Sequence, residues 1–144
     1  ATLSLAGGAA FSIAQLHTNP LYASDDLRGA AAFLQEHWRP GDVILVNAGY
    51  TYTALQYYFG APPPVYRRLT DFTPQMATQN PYRPLVLETG TVNGPSWLGW
   101  GDPQSDFYAM PADDALAVLD AVTAAYPRLW MLRAYDTVTD PDGV

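Results

Sequence analysis

The stretch "GDVILVNAGYTYTALQYYFG", residues 41–60, holds a strand, a corner and a helix in twenty letters. Gly41-Asp42 turns the chain, and Val43-Ile44-Leu45-Val46 is aliphatic without a break. An uninterrupted apolar run of this length suits a parallel strand buried on both faces, whereas a half-exposed strand would alternate in polarity. A polar corner follows at Asn47-Ala48-Gly49. A helix then runs from about Thr51 and stops at Gly60, a residue suited to the position just past a helix end.

The pattern continues on both sides. Upstream, Ser24 is expected to cap a helix, with Asp25 and Asp26 facing its positive end. Leu27, Ala30, Ala31, Leu34 and Trp38 fall on one face of that helix, and Arg39-Pro40-Gly41 ends it. Downstream, the prolines of "APPPVYRRL" lead into a short strand at 65–68. Residues 70–83 read as irregular connection, and "PLVLE" as a strand over 84–88. A long Gly-, Pro-, Trp- and Tyr-rich loop covers 89–111. Ala115, Val118, Leu119, Val122 and Tyr126 then mark a helix ended by Pro127, and "RLWMLRAY", 128–135, is a further strand. Aliphatic strands alternating with amphipathic helices predict a three-layer α/β fold. Its sheet is a mostly parallel, open one of about four or more strands, with helices on both faces, Rossmann-like or flavodoxin-like.

Composition narrows the functional classes. The chain has 144 residues, 49% hydrophobic and 15% charged, with net charge −7 and a pI near 4.4. That length suits a single domain burying roughly two thirds of its unfolded surface. All seven basic residues are arginines, and only Arg67-Arg68 are adjacent. An acidic chain without a basic stripe cannot neutralise a phosphate backbone, so nucleic acid is excluded as a partner. Without cysteine there can be no disulfide, thiolate metal site or cysteine nucleophile.

The first residues are different in character. Residues 1–20 form an apolar lead-in rich in small side chains, and residues 21–144 the α/β domain. The apolar run is shorter than the roughly 20 residues that span a bilayer, and it lacks the charged start of a signal peptide. It suits either the trailing end of a transmembrane helix or an ordinary buried strand or helix. Since the first residue is Ala1 rather than Met, a fragment or processed product is expected.

Three groups of side chains invite a functional reading. Asn47, Tyr50 and Thr51 lie where an open α/β sheet presents ligands, at the carboxyl end of a buried strand. Neither a P-loop nor G-x-G-x-x-G accompanies them, so the corner either holds a ligand or only turns the chain. Tyr50, Tyr52, Tyr57, Tyr58 and Phe59 crowd one helix, where they can stack on sugars, sit at a membrane interface, or divide between sheet and water. The long loop carries Trp97, Trp100, Asp102, Asp106 and Tyr108, a set that suits carbohydrate contact, docking to a protein, or packing of the loop on itself. Asp25-Asp26 and Asp113-Asp114 read as helix-start charges. His17 and His37 lack metal-ligand neighbours at a recognisable spacing, and no G-x-S-x-G elbow is present. No catalytic residue, metal or cofactor is assigned on this reading.

Residues 22–60, "YASDDLRGAAAFLQEHWRPGDVILVNAGYTYTALQYYFG", resemble the soluble extracytoplasmic domain that follows the transmembrane helices of bacterial membrane glycosyltransferases. The type is that of the dolichyl-phosphate-mannose protein mannosyltransferases and aminoarabinose transferases, in the glycosyltransferase C superfamily. The matching residues are Tyr22, Asp25, Asp26 and Arg28, then Pro40-Gly41-Asp42, an aliphatic strand, and Tyr57-Tyr58 before a glycine. "PRLWMLRAY", 127–135, is similar to the last strand of such domains. The resemblance covers about residues 20–70, and 112–135 more loosely. It implies an accessory domain on the extracytoplasmic face of the membrane, without catalytic residues of its own, aiding acceptor or glycan access. The implied partners are the transmembrane part of its own parent chain and a glycan or lipid-linked sugar. The residues read alone leave a second class open, a stand-alone α/β module that binds a small ligand or carbohydrate.

Overall fold

Four consecutive aliphatic side chains leave β1 (Asp42–Val46) no exposed face, and all five of its residues are buried. In the computed structural model, which describes residues 2–19, 25–47, 51–79, 81–93 and 108–134, β1 lies inside a four-stranded sheet. Its neighbours are β3 (Leu85–Glu88) and β6 (Arg128–Leu132), and β2 (Val65–Arg68) lies outside β3. The order is β2-β3-β1-β6 and every pairing is parallel, with Ile44 level with Val86 on one side and Trp130 on the other. The expected α/β class is observed.

Alternation along the strands divides the core into two. Val43, Leu45, Leu85 and Leu87 pack towards helix α5 (Ala112–Ala125), meeting Ala115, Val122 and Tyr126. Ile44, Val46 and Val86 point the other way, to Ala31 and Leu34 of α2 (Leu27–His37) and to Leu55 of α3 (Thr51–Tyr58) with Phe59 beyond it. Helices therefore cover both faces. The tyrosine-rich helix divides its aromatics. Tyr52 stacks on Tyr66 at 4.1 Å, Tyr57 stands in solvent, and Tyr58 lies beneath the Arg28 guanidinium at 5.4 Å. Tyr50 lies outside the described residues.

Local chemistry adjusts several sequence expectations. Ser24 lies outside the described residues, and the cap of α2 is Asp26, whose Oδ1 accepts from Gly29 N at 2.8 Å. A carboxylate there also meets the positive helix end with a full charge. Residues 70–83 begin within a 3-10 turn (Leu69–Asp71) and contain a short helix α4 (Met76–Gln79) rather than irregular chain alone. Strand β6 is shorter than the run 128–135, because Ala134 N donates to the Asn47 side chain at 2.8 Å instead of to a neighbouring strand. A second parallel pair, β4 (Thr91–Val92) with β5 (Ala109–Met110), has no counterpart in the sequence reading. The apolar lead-in is a helix, α1 (Thr2–Thr18).

A charged hub locks the amino edge of the sheet. Arg39-Pro40-Gly41-Asp42 is a tight turn closed by Asp42 N donating to Arg39 O at 2.9 Å. Gly41 sits at φ +93°, a conformation that side chains other than glycine adopt at a cost. The turn aims the Asp42 carboxylate at Arg39 N (2.8 Å), Trp130 Nε1 (3.0 Å) and Arg128, whose Nε and Nη2 donate at 2.9 and 2.6 Å. The same guanidinium donates to His37 O at 3.1 Å, covering the last turn of α2. Asp42 thus joins α2, β1 and β6. Burial acts to raise its pKa, but the hydrogen bonds from Arg128, Trp130 and Arg39 outweigh it and hold the carboxyl below its ordinary 3.8.

A folded pKa below the unfolded one gives stability that is complete above the unfolded value and lost as pH falls through the folded one. Asp42→Asn is therefore expected to cost about 2 kcal/mol at pH 7 and to flatten the acid limb of stability. Urea unfolding midpoints measured from pH 7 to pH 2.5 check this, since an unchanged acid limb would remove Asp42 as its source.

Candidate functional site

The sheet order creates one topological break. β1 and β3 are neighbours, yet β1 continues into α3 on one face while β3 leads towards α5 on the other. Adjacent strands whose connections part in this way leave a crevice beyond their carboxyl ends, where open α/β sheets bind ligands. Asn47 ends β1 here, Thr51 opens α3, and Glu88 ends β3, followed by Thr89 and Thr91. All five side chains are buried, Thr51 and Glu88 at 0% exposure. Asp42, the remaining buried charge among the described residues, belongs to the opposite edge.

Hydrogen bonds fix this polar set. Thr89 N donates to Val46 O at 3.0 Å, carrying the β1–β3 ladder one residue further. The Asn47 amide oxygen accepts from Ala134 N, pinning the exit of β6 over the end of β1. Tyr108 donates its hydroxyl to Glu88 O at 2.7 Å, and its own carbonyl accepts from Thr91 N at 2.8 Å. Gly90, at φ +70°, passes so close to Tyr108 that a Cβ there would stand 2.6 Å from the Tyr108 carbonyl oxygen. Asn93 Oδ1 accepts from Ala112 N at 3.0 Å, starting α5. The Arg68 guanidinium lies 5.1 Å above the Tyr108 ring, bringing a cation to the same edge.

The Tyr108 hydroxyl is the most perturbed group here. Burial pushes its pKa well up, and the neighbouring Glu88 charge adds to this. A backbone hydrogen bond from Leu69 and the Arg68 charge oppose it without prevailing. Tyr108 stays a neutral donor far into the alkaline range.

Of the side chains picked from the sequence, Asn47, Thr51 and Tyr108 come to this edge. Tyr108 lies beneath the surface and spends its hydroxyl on Glu88 O. Tyr50, Trp97, Trp100, Asp102 and Asp106 lie outside the described residues. Sequence reasoning passed over Glu88, Thr89, Gly90, Thr91 and Arg68. The sequence shows only that a charge closes "PLVLE", and its burial is a property of the fold.

The groups gathered here are an amide, threonine hydroxyls, a carboxylate and a guanidinium, with Thr51 and Glu88 fully buried. His37 lies at the far edge, its Nδ1 2.8 Å from Phe33 O and its ring stacked on Phe33 at 4.1 Å. Among the described residues no three His, Cys, Asp or Glu side chains gather as metal ligands. Compared with protein-family models, curated proteins and solved structures, the chain finds no match.

Tyr108→Phe is expected to lower stability by about 1 kcal/mol, the worth of one buried hydrogen bond. It also removes one tyrosine from those whose 295 nm absorbance rises only as the protein unfolds in alkali. Gly90→Ala combines left-handed strain with a backbone clash and is expected to cost about 3 kcal/mol. Thermal melts of both variants check the ranking, and a Gly90→Ala protein as stable as the parent would contradict the close approach.

Proposed function

We propose that the chain is an accessory extracytoplasmic domain of a polyprenyl-phosphate-sugar-dependent membrane glycosyltransferase, held at the bilayer by α1. The observation that carries this reading is α1 itself. Its residues 7–14 are exposed, with Phe11 at 66% and Ile13 at 59%, and no Asp, Glu, Lys or Arg occurs before Asp25. A helix without charged residues whose large apolar side chains stand exposed gains most by burial in a core or a membrane. Among the described residues no helix is long and apolar enough to cross a membrane. At 17 residues, α1 extends about 25 Å against a hydrocarbon core of about 30 Å. In this reading it enters the bilayer beside the transmembrane part of its parent chain. Thr18 and Asn19 then lead out towards the α/β domain, which shapes access of acceptor or glycan without supplying catalytic groups. The sequence resemblance over residues 20–70 supports the same assignment.

A second reading has its own support. The buried polar set where β1 and β3 end is what a small-ligand or carbohydrate-binding module would carry at its sheet edge.

The two readings part in a flotation experiment with phosphatidylcholine vesicles. The chain is expected to float, and Phe11→Asp with Ile13→Asp to return it to the aqueous fraction with unchanged circular dichroism in the α/β part. In cells, an antibody to the domain is expected to detect a membrane-bound protein several times heavier than 15.7 kDa. An aqueous chain together with a soluble native band near that mass would reject the membrane assignment and leave the ligand-binding module.

A further inference from the structure

The amino edge of the sheet holds a feature that neither reading above uses, a cavity of about 490 Å³. Met76, Ala77 and Gln79 of α4 wall it on one side, with Val65 of β2, Leu85 of β3 and Asp42 of β1 at the strand beginnings on the other. Val65, Leu85, Met76 and Tyr126 supply apolar surface, including a ring face and a thioether, and Arg67 and Arg83 supply charge. A volume within roughly 300–1,000 Å³, with apolar and polar walls in about equal share, suits a small molecule that carries both kinds of surface.

The charges settle the class of ligand. Asp42 also lines the cavity, but its oxygens are occupied by Arg39 N, Trp130 and the 2.6 Å ion pair with Arg128. Arg83 donates Nε and Nη2 to Pro63 O, at 3.2 and 3.0 Å, and Arg67 donates Nη1 to Tyr66 O at 2.6 Å. Both guanidiniums thus bond to backbone carbonyls, which orient them and leave most of their five donors and the whole of each charge unspent. In a chain of net charge −7, two of seven arginines share one cavity whose carboxylate is already neutralised. Guanidinium forks match planar or tetrahedral oxyanions.

We propose that this cavity binds a small amphiphilic oxyanion, a carboxylate or phosphate monoester on an apolar body, with Arg67 and Arg83 holding the anion and Met76 and Tyr126 the body. The site is separate from the β1–β3 crevice and independent of any membrane role.

The test is titration calorimetry on the full chain with phenyl phosphate, benzoate, phenol and inorganic phosphate. Saturable binding of phenyl phosphate or benzoate is expected, with phenol and inorganic phosphate at least about tenfold weaker, because each lacks one half of the contact. Arg67→Gln and Arg83→Gln are each expected to weaken the preferred anion about tenfold, and Met76→Glu to abolish binding through repulsion; thermal melts verify that each variant folds. No saturable binding by either anion would overturn the proposal, as would phenol binding as tightly as the anions. Affinity unchanged in the folded double arginine variant would overturn it equally.

Discussion

Burial of β1 from both sides is the constraint from which the rest of the architecture follows. Four adjacent aliphatic residues cannot share one layer of packing, because successive side chains on a strand point in opposite directions. Val43 and Leu45 require one cover and Ile44 and Val46 another, which commits the chain to helices on both faces. A strand with no solvent face also needs partners along both edges, since its backbone groups would otherwise be buried unbonded. β3 and β6 fill those edges in register. The Asp42 hub then sets where β6 stops sliding along β1, as Arg128 and Trp130 reach the carboxylate only when Asp42 lies level with Arg128.

Polar chemistry divides between the two ends of this sheet. At the carboxyl end the parting of α3 from α5 gathers short polar side chains and a buried carboxylate, with Asn47 bound to Ala134 N and the Tyr108 hydroxyl to Glu88 O. At the amino end the polar groups include two long cationic side chains, and they line a cavity whose walls are about half apolar. In the readings proposed above, the first set would meet hydroxyls and the second a charge carried on an apolar body. Helix α1 adds a third kind of surface, apolar and without charge. The domain therefore presents separate chemistries at separate places.

The sequence made the local elements legible and left the long-range ones hidden. β1 and β3 announce themselves because their residues are apolar without interruption, and α2 and α5 because their apolar positions recur every three or four residues. The order of strands could not be read, since nothing in "PLVLE" says that it inserts between two earlier strands. The same limit hid the Asp42–Arg128 pair, 86 residues apart, and the two-residue strands Thr91–Val92 and Ala109–Met110, too short to carry a period. Asn47 and Thr51 were found because the end of β1 is a recognisable place, and Tyr108 as an aromatic of the long loop. Glu88 was missed because a strand-ending carboxylate usually faces water, and only the fold reveals that this one does not.

The place of β1 within the sheet also governs how the molecule comes to exist. Its partner on one edge is encoded about forty residues downstream and its partner on the other more than eighty. During vectorial synthesis, β1, α3 and β2 emerge as a fragment whose strands are not neighbours in the finished sheet, because β3 must still enter between them. The first local collapse therefore cannot be native, and loop closure over long separations has to precede the reward of ladder formation. An aliphatic strand held open for that interval is the surface that chaperones bind and that aggregation exploits. The nascent chain is thus most exposed to misassembly while the ribosome is still translating the stretch between residues 47 and 128.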